Sequence, residues 1–107
     1  MGSDLIKHFN DENFEEGISQ GVVLVDFYAD WCGPCRMLTP VVEELAREMT
    51  GKATIAKVDT DACINMAAKF EVTSIPTLIL FKDGEVVKRV VGLKDLDSLR
   101  AMVSGAL

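Results

Sequence analysis

Ala29-Asp30-Trp31-Cys32-Gly33-Pro34-Cys35-Arg36 is the stretch on which the fold turns. It lies between an apolar run, Val22 to Phe27, and an amphipathic run that begins just after it. That order predicts a strand, a tight turn and a helix, with two cysteines at the junction. Pro34 suits the first helical turn, where no amide donor is needed, and Gly33 eases the turn. Cys32 is then expected at the helix N-terminus, where unpaired amides and the macrodipole favour a negative sulfur. Such a site lowers a thiol's pKa and makes it nucleophilic near neutral pH. With solvent access at the helix end, Cys32 is the expected attacking thiol. Cys35, three residues on, shares its side of the helix and lies within reach for a small-ring disulfide. The chemistry suggested is thiol–disulfide exchange.

Half of many zinc sites also reads C-x-x-C, but zinc wants four ligands. Beyond the pair the chain offers only Cys63 and His8, with no second C-x-x-C and no H-x-x-x-H. No metal site is expected. A purely structural bridge is not needed either, because 107 residues of which 49% are hydrophobic can build one compact core. A C-x-x-C beside a β-α pattern, with no export signal, reads as a redox motif.

The length predicts a single domain over residues 1–107. Lys and Arg number 11 against 17 Asp and Glu, a net charge of −6 that argues against nucleic acid or an anionic membrane as a partner. Solubility is the simplest reading of that charge. Met1-Gly2-Ser3-Asp4 shows no basic region followed by an apolar stretch, so no signal peptide is read there. Ile6 stands where a myristoylation signal needs Ser or Thr. No apolar run approaches the roughly 18 residues of a membrane span. Three cysteines, an odd number, fit a reducing interior better than a secreted scaffold. A cytoplasmic location is expected.

Working outward, Leu5 to Phe9 predicts a short strand carrying the lone His8, read as a surface or packed residue. Asn10 or Asp11 is expected to cap a short helix with Phe14 and Ile18 at i, i+4. Gly17 weakens that helix by about 1 kcal/mol relative to Ala, and Gly21 ends it. The run from Gly21 to Ala29 is apolar on both faces, as in a strand buried mid-sheet. Asp26 interrupts it, on the face shared by Val22, Leu24 and Tyr28, and is either at an exposed strand end or buried for a reason. Between Gly33 and about Met49, Leu38, Val41, Val42, Leu45 and Met49 form a core-facing stripe. Pro40 within it frees the Arg36 carbonyl and predicts a bend.

Ala53 to Val58 predicts a second buried strand, parallel to the first because a crossover helix joins them. Asp26 and Lys57 are then expected to meet near the strand ends. Asp59 to Phe70 predicts a short helix with Asp61 as its cap and Ile64, Ala67 and Ala68 facing inward. Cys63 within it is read first as a packed thiol, with a regulatory role as the alternative. Leu78 to Phe81, the turn Asp83-Gly84 and Glu85 to Val91 predict an antiparallel hairpin. Gly92 breaks the strand. Asp95 or Asp97 starts a last helix with a Leu96, Leu99, Val103, Leu107 stripe. The order is β-α-β-α-β-α-β-β-α, with no repeat, linker or low-complexity segment.

Asp26, Trp31-Cys32-Gly33-Pro34-Cys35, Pro40, Lys57, Ile75-Pro76-Thr77, Asp83-Gly84 and Gly92, in this order and spacing, carry a resemblance to the thioredoxin family over the whole chain. The resemblance implies an α/β thioredoxin fold, a central five-stranded mixed sheet flanked by four helices with the last hairpin antiparallel to the first three strands. It implies a cis bond before Pro76, which the residues alone do not show, since only about 5–6% of such bonds are cis. It implies that Trp31, Gly33, Pro34, Ile75, Pro76, Gly92 and Leu93 line a shallow apolar groove for the partner. Tyr28 replaces a frequent tryptophan and Arg36 a common lysine, and neither is expected to touch the chemistry.

The implied function is reduction of protein disulfides through a reversible Cys32–Cys35 dithiol/disulfide, an electron-carrier activity re-reduced by a thioredoxin reductase. Cys32 attacks, Cys35 resolves the mixed disulfide, and Asp26 behind it serves as base with assistance from Lys57. No cofactor is required; the partners are the reductase and disulfide-containing proteins, and the chain is expected to be a monomer. An oxidase or isomerase on the same fold is the alternative within redox chemistry, though Gly33-Pro34 argues for a reductant. A binding module that uses the same groove is the alternative outside it.

Overall fold

Seven residues of unbroken burial potential, Val22 to Tyr28, form the strand β2 about which the rest is arranged. In the computed structural model, which describes residues 5–107, the elements run β1 (Ile6–His8), α1 (Phe14–Gly17), β2 (Val22–Tyr28), α2 (Gly33–Glu48), β3 (Thr54–Asp59), α3 (Ile64–Lys69), β4 (Thr77–Lys82), β5 (Glu85–Val91) and α4 (Leu96–Ser104). The Met1-Gly2-Ser3-Asp4 stretch, read above for targeting signals, lies outside the described residues.

The five strands follow the order β1-β3-β2-β4-β5. β1, β3 and β2 run parallel, and β4 runs antiparallel to β2. β5 is antiparallel to β4 and so points the same way as the first three strands; only the first arm of the hairpin opposes them, because the two arms of a hairpin run in opposite directions. The expected order of nine elements and the expected mixed sheet are both present. Alternation sends neighbouring residues of β2 to opposite faces. Val22 and Leu24 meet Leu38, Val42 and Leu45 of α2 and Leu99 and Val103 of α4. Val23, Val25 and Phe27 meet Phe14, Ile18 and Phe81 on the other face. Two cores therefore share one sheet, and Asp26 belongs to the α2–α4 face.

Local chemistry explains the turns. Asn10 accepts the amides of Glu12 and Asn13 at 2.9 Å and so ties the turn leading into α1. The helix itself starts later: its N-cap is Asn13, without a side-chain capping bond, and neither Asn10 nor Asp11 caps it. Gly17 has a reason that helix propensity does not show: a Cβ there would stand 2.5 Å from two Phe9 ring atoms. At the hairpin tip, Asp83 and Gly84 have φ of 51° and 86°, the left-handed pair that a two-residue turn requires. Asp83 also accepts the Gly21 amide at 2.8 Å, tying the tip to the start of β2. In β5, pairing slips between Leu80↔Lys88 and Phe81↔Val86, so Val87 is an extra, bulged residue. Pro40 sits inside α2 without ending it. Asp95 caps α4 by accepting the Ser98 amide at 2.8 Å.

One element faces differently from expectation. Ile64 is 67% exposed and Ala68 is exposed, whereas Cys63 is buried and Met66 and Phe70 pack on the aromatic core. Phe70, 5.4 Å from the rings of both Phe14 and Phe81, sets the rotation of α3. Asp61 is not its cap either; Asp11 accepts the Met66 amide at 3.1 Å from 55 residues away. Leu107, expected on the α4 stripe, is exposed beyond the helix end.

Candidate active site

The cysteines stand where the C-terminal end of β2 passes into α2. Cys32 is the N-cap of α2 and Pro34 lies in its first turn. The two cysteines form a disulfide with their Cα atoms 5.2 Å apart. The Cys35 amide donates to Cys32 Sγ at 3.1 Å, so one of the free amides of the helix start is aimed at that sulfur. Exposure does not separate the pair: Cys32 is 4% and Cys35 3% accessible. The expected solvent access of Cys32 is therefore absent in the disulfide form, and the aimed amide distinguishes the two sulfurs.

Around the pair, Ala29, Tyr28 and Ile75 pack into one small cluster with both cysteines. The Ile75–Pro76 bond is cis, as the resemblance implied. Cys32 Sγ lies 3.8 Å from the Ile75 carbonyl oxygen. Pro76 is buried, and its carbonyl accepts the Gly92 amide at 2.8 Å, which brings Gly92 and Leu93 alongside. Leu93 is 44% and Trp31 68% exposed, large apolar groups left open to solvent. Gly33 is half-buried and Pro34 exposed. The Trp31 indole donates to Asp61 at 3.0 Å, a partner that sequence reading assigned to helix capping.

Two residues before Tyr28 on β2, Asp26 is 1% exposed, and neither carboxylate oxygen has a hydrogen-bond partner. Burial pushes its pKa from 3.8 to about 7, while the charge of Lys57 pulls in the other direction. Asp26 and Lys57 are register partners on β2 and β3, so their side chains share a face as expected. They do not form an ion pair, however. The Lys57 ammonium lies over the Tyr28 ring, 4.3 Å from its centroid. Tyr28, Ala29, Asp30, Cys35, Arg36, Thr39 and Lys57 line a pocket of about 110 Å³. Sequence reading set Tyr28 and Arg36 aside. The structure puts both in this wall, with Arg36 donating to the Asp30 carbonyl at 2.9 Å.

Elsewhere the chemistry is quiet. Cys63 is buried with its Sγ 3.5 Å from the Phe9 carbonyl oxygen, and burial pushes its thiol pKa up, as for an inert packed thiol. Among the described residues there is no cluster of three or more His, Cys, Asp or Glu that could hold a metal. Two roomier hollows between β5 and α4, about 370 and about 440 Å³, contain none of the cysteine-site residues. No described helix is long and apolar enough to cross a membrane.

The family model described as Thioredoxin matches residues 5–105. The thioredoxin of Chlamydia trachomatis serovar D is 54% identical over 100 residues, 94% of this chain and 97% of that protein. That of Staphylococcus haemolyticus is 60% identical over 89 residues, covering 83% and 86%. A solved structure of a mutant thioredoxin from Halobacterium salinarum NRC-1 superposes with a TM-score of 0.87 at 41% identity, covering 99% of this chain and 95% of that one. Sequence and fold agree along almost the whole length, and the chain belongs to the thioredoxin family.

Proposed function

We propose that the protein reduces the disulfides of other proteins, with Cys32 as attacking sulfur and Cys35 as resolving sulfur. The Cys32 thiolate attacks one sulfur of the substrate disulfide; that bond breaks and the other substrate sulfur leaves as a thiolate. Cys35, deprotonated, then attacks Cys32 Sγ, and the second substrate thiolate leaves. The substrate gains two electrons and the Cys32–Cys35 pair loses two. The observation that carries this assignment is the Cys35 amide aimed at Cys32 Sγ, which stabilises negative charge on that sulfur alone.

Asp26, with a pKa near 7, is divided between acid and base at neutral pH and suits removal of the Cys35 proton. A pocket bounded by Cys35 and Lys57, the register partner of Asp26, has room for a water that could carry the proton. Trp31, Gly33, Pro34, Ile75, Pro76, Gly92 and Leu93 form the docking surface for the partner chain. A thioredoxin reductase returns the electrons, and no further cofactor is needed. The protein works as a monomer in the cytoplasm.

Alkylation of the fully reduced protein at neutral pH tests the roles. Cys32 should react first and Cys63 not at all in the folded state. Cys35→Ser should trap a mixed disulfide with substrate, and Cys32→Ser should trap none. Equal reaction rates at Cys32 and Cys35 would sink the assignment.

A further inference from the structure

We propose that Tyr28 is a positioning residue for the exchange site: its ring face holds the Lys57 ammonium in the wall of the pocket behind Cys35, beside Asp26. The proposal rests on the reading of Asp26 as the base for Cys35. Tyr28 follows Asp26 by two residues on β2, and Lys57 is the register partner of Asp26 on β3. All three side chains therefore project to one face. The ammonium is 4.3 Å from the ring centroid, well inside the range of about 6 Å in which a cation is drawn to an aromatic face. The main chain at Tyr28 is held, since its carbonyl accepts both the amide and the hydroxyl of Thr60 at 2.8 and 3.2 Å, and its side chain packs against the cluster of Ala29, Cys32 and Cys35.

Other attractors for the ammonium are at hand, which makes its place over the ring informative. Lys57 makes no ion pair among the described residues. Asp59 pairs in register with Tyr28, Asp30 lines the same pocket, and both Asp26 oxygens lack a partner. From α2, Cys35 and Arg36 face the same pocket. From β4, the residue opposite Asp26 is the uncharged Leu78. A lysine released by the ring would extend to water, where its charge is screened. Held by the ring, it stays close enough to favour the ionised carboxylate without binding it. Asp26 thus keeps a counter-charge and remains free to take a proton.

The Asp26 titration, followed by carboxyl NMR in the disulfide form where neither Cys32 nor Cys35 titrates, reads this directly. Tyr28→Leu should move it upward by roughly half a pH unit. Tyr28→Phe, which keeps the ring, should restore the parent curve. Lys57→Met alone should also move it upward, and Tyr28→Leu added to Lys57→Met should change nothing further. An unmoved or lowered titration in Tyr28→Leu would overturn the proposal, as would a shift that persists without Lys57. The pH profile of mixed-disulfide resolution should follow the same displacement. A titration that moves while the profile stays put would uphold the tether and refute Asp26 as the base.

Discussion

At Asp26, a carboxylate with no hydrogen-bond partner in the middle of a sheet costs stability where the proposed role as base would use it. Its folded pKa is raised, so between 3.8 and about 7 the native protein holds a proton that the unfolded chain has released. The unfolded state binds fewer protons in that window, and stability falls as pH rises through it. The penalty is absent below the unfolded value and complete above pH 7, on the order of 4 kcal/mol at about 1.36 kcal/mol per pH unit. Asp26→Ala should therefore gain several kcal/mol on the parent at pH 8 and little at pH 3, by urea unfolding at each pH. The same variant should resolve mixed disulfides more slowly. A variant less stable than the parent across the whole range would contradict the buried state. In the sequence, the face of Asp26 and its strand neighbour Lys57 were both legible from alternation and parallel pairing. The place of the ammonium was not, because pattern fixes which side chains share a face but not which of several neighbours a flexible lysine chooses.

Single elements show where propensity gives way to packing. On helix propensity alone, Gly17→Ala should strengthen α1 by about 1 kcal/mol. The Phe9 ring, however, stands 2.5 Å from where the new Cβ would go. That ring packs edge-on against Phe14 with centroids 5.8 Å apart, so it has little freedom to swing aside. The net result should be destabilisation by roughly 1–3 kcal/mol, seen as a lower urea midpoint with an unchanged slope. A higher midpoint would show that the ring yields. The misread rotation of α3 has a similar origin. Its six residues are too few for a periodic stripe, and its facing is decided by Phe70 among distant aromatic rings and by Asp11 at its amides. The longer elements, α2 and α4, were legible because their stripes run two turns or more.

For the molecule as a whole, two cores back onto one sheet, and β2 and β4 contribute to both. We propose that residues 1–107 unfold as one cooperative unit for that reason. Leu38→Ala on the α2–α4 face should cost about 2–5 kcal/mol and Phe81→Ala on the opposite face about 3–5 kcal/mol. Each should shift a single transition, coincident by far-ultraviolet circular dichroism and by fluorescence of the only tryptophan, Trp31. Separate transitions for the two probes would divide the chain into independent parts. The order of elements was legible because each carries its own signal, whereas 31–35, 75–76 and 92–93 lie far apart in the chain and are brought together by the strand order; only the family resemblance had grouped them.

The bulge in β5 bears on how the molecules behave in each other's company. A sheet of this kind has two rims whose unpaired amides and carbonyls invite another chain to continue it. One rim, β1, is only three residues long. The other, β5, is seven residues with four valines, enough to serve as a template for stacking chain upon chain. Val87 breaks its spacing, and Lys88 and Arg89 follow at once, so a second copy meets a misaligned ladder and like charges. With Trp31 and Leu93 open to solvent, the molecule already offers apolar surface, and this rim does not add a second route by which copies could pile up into fibres.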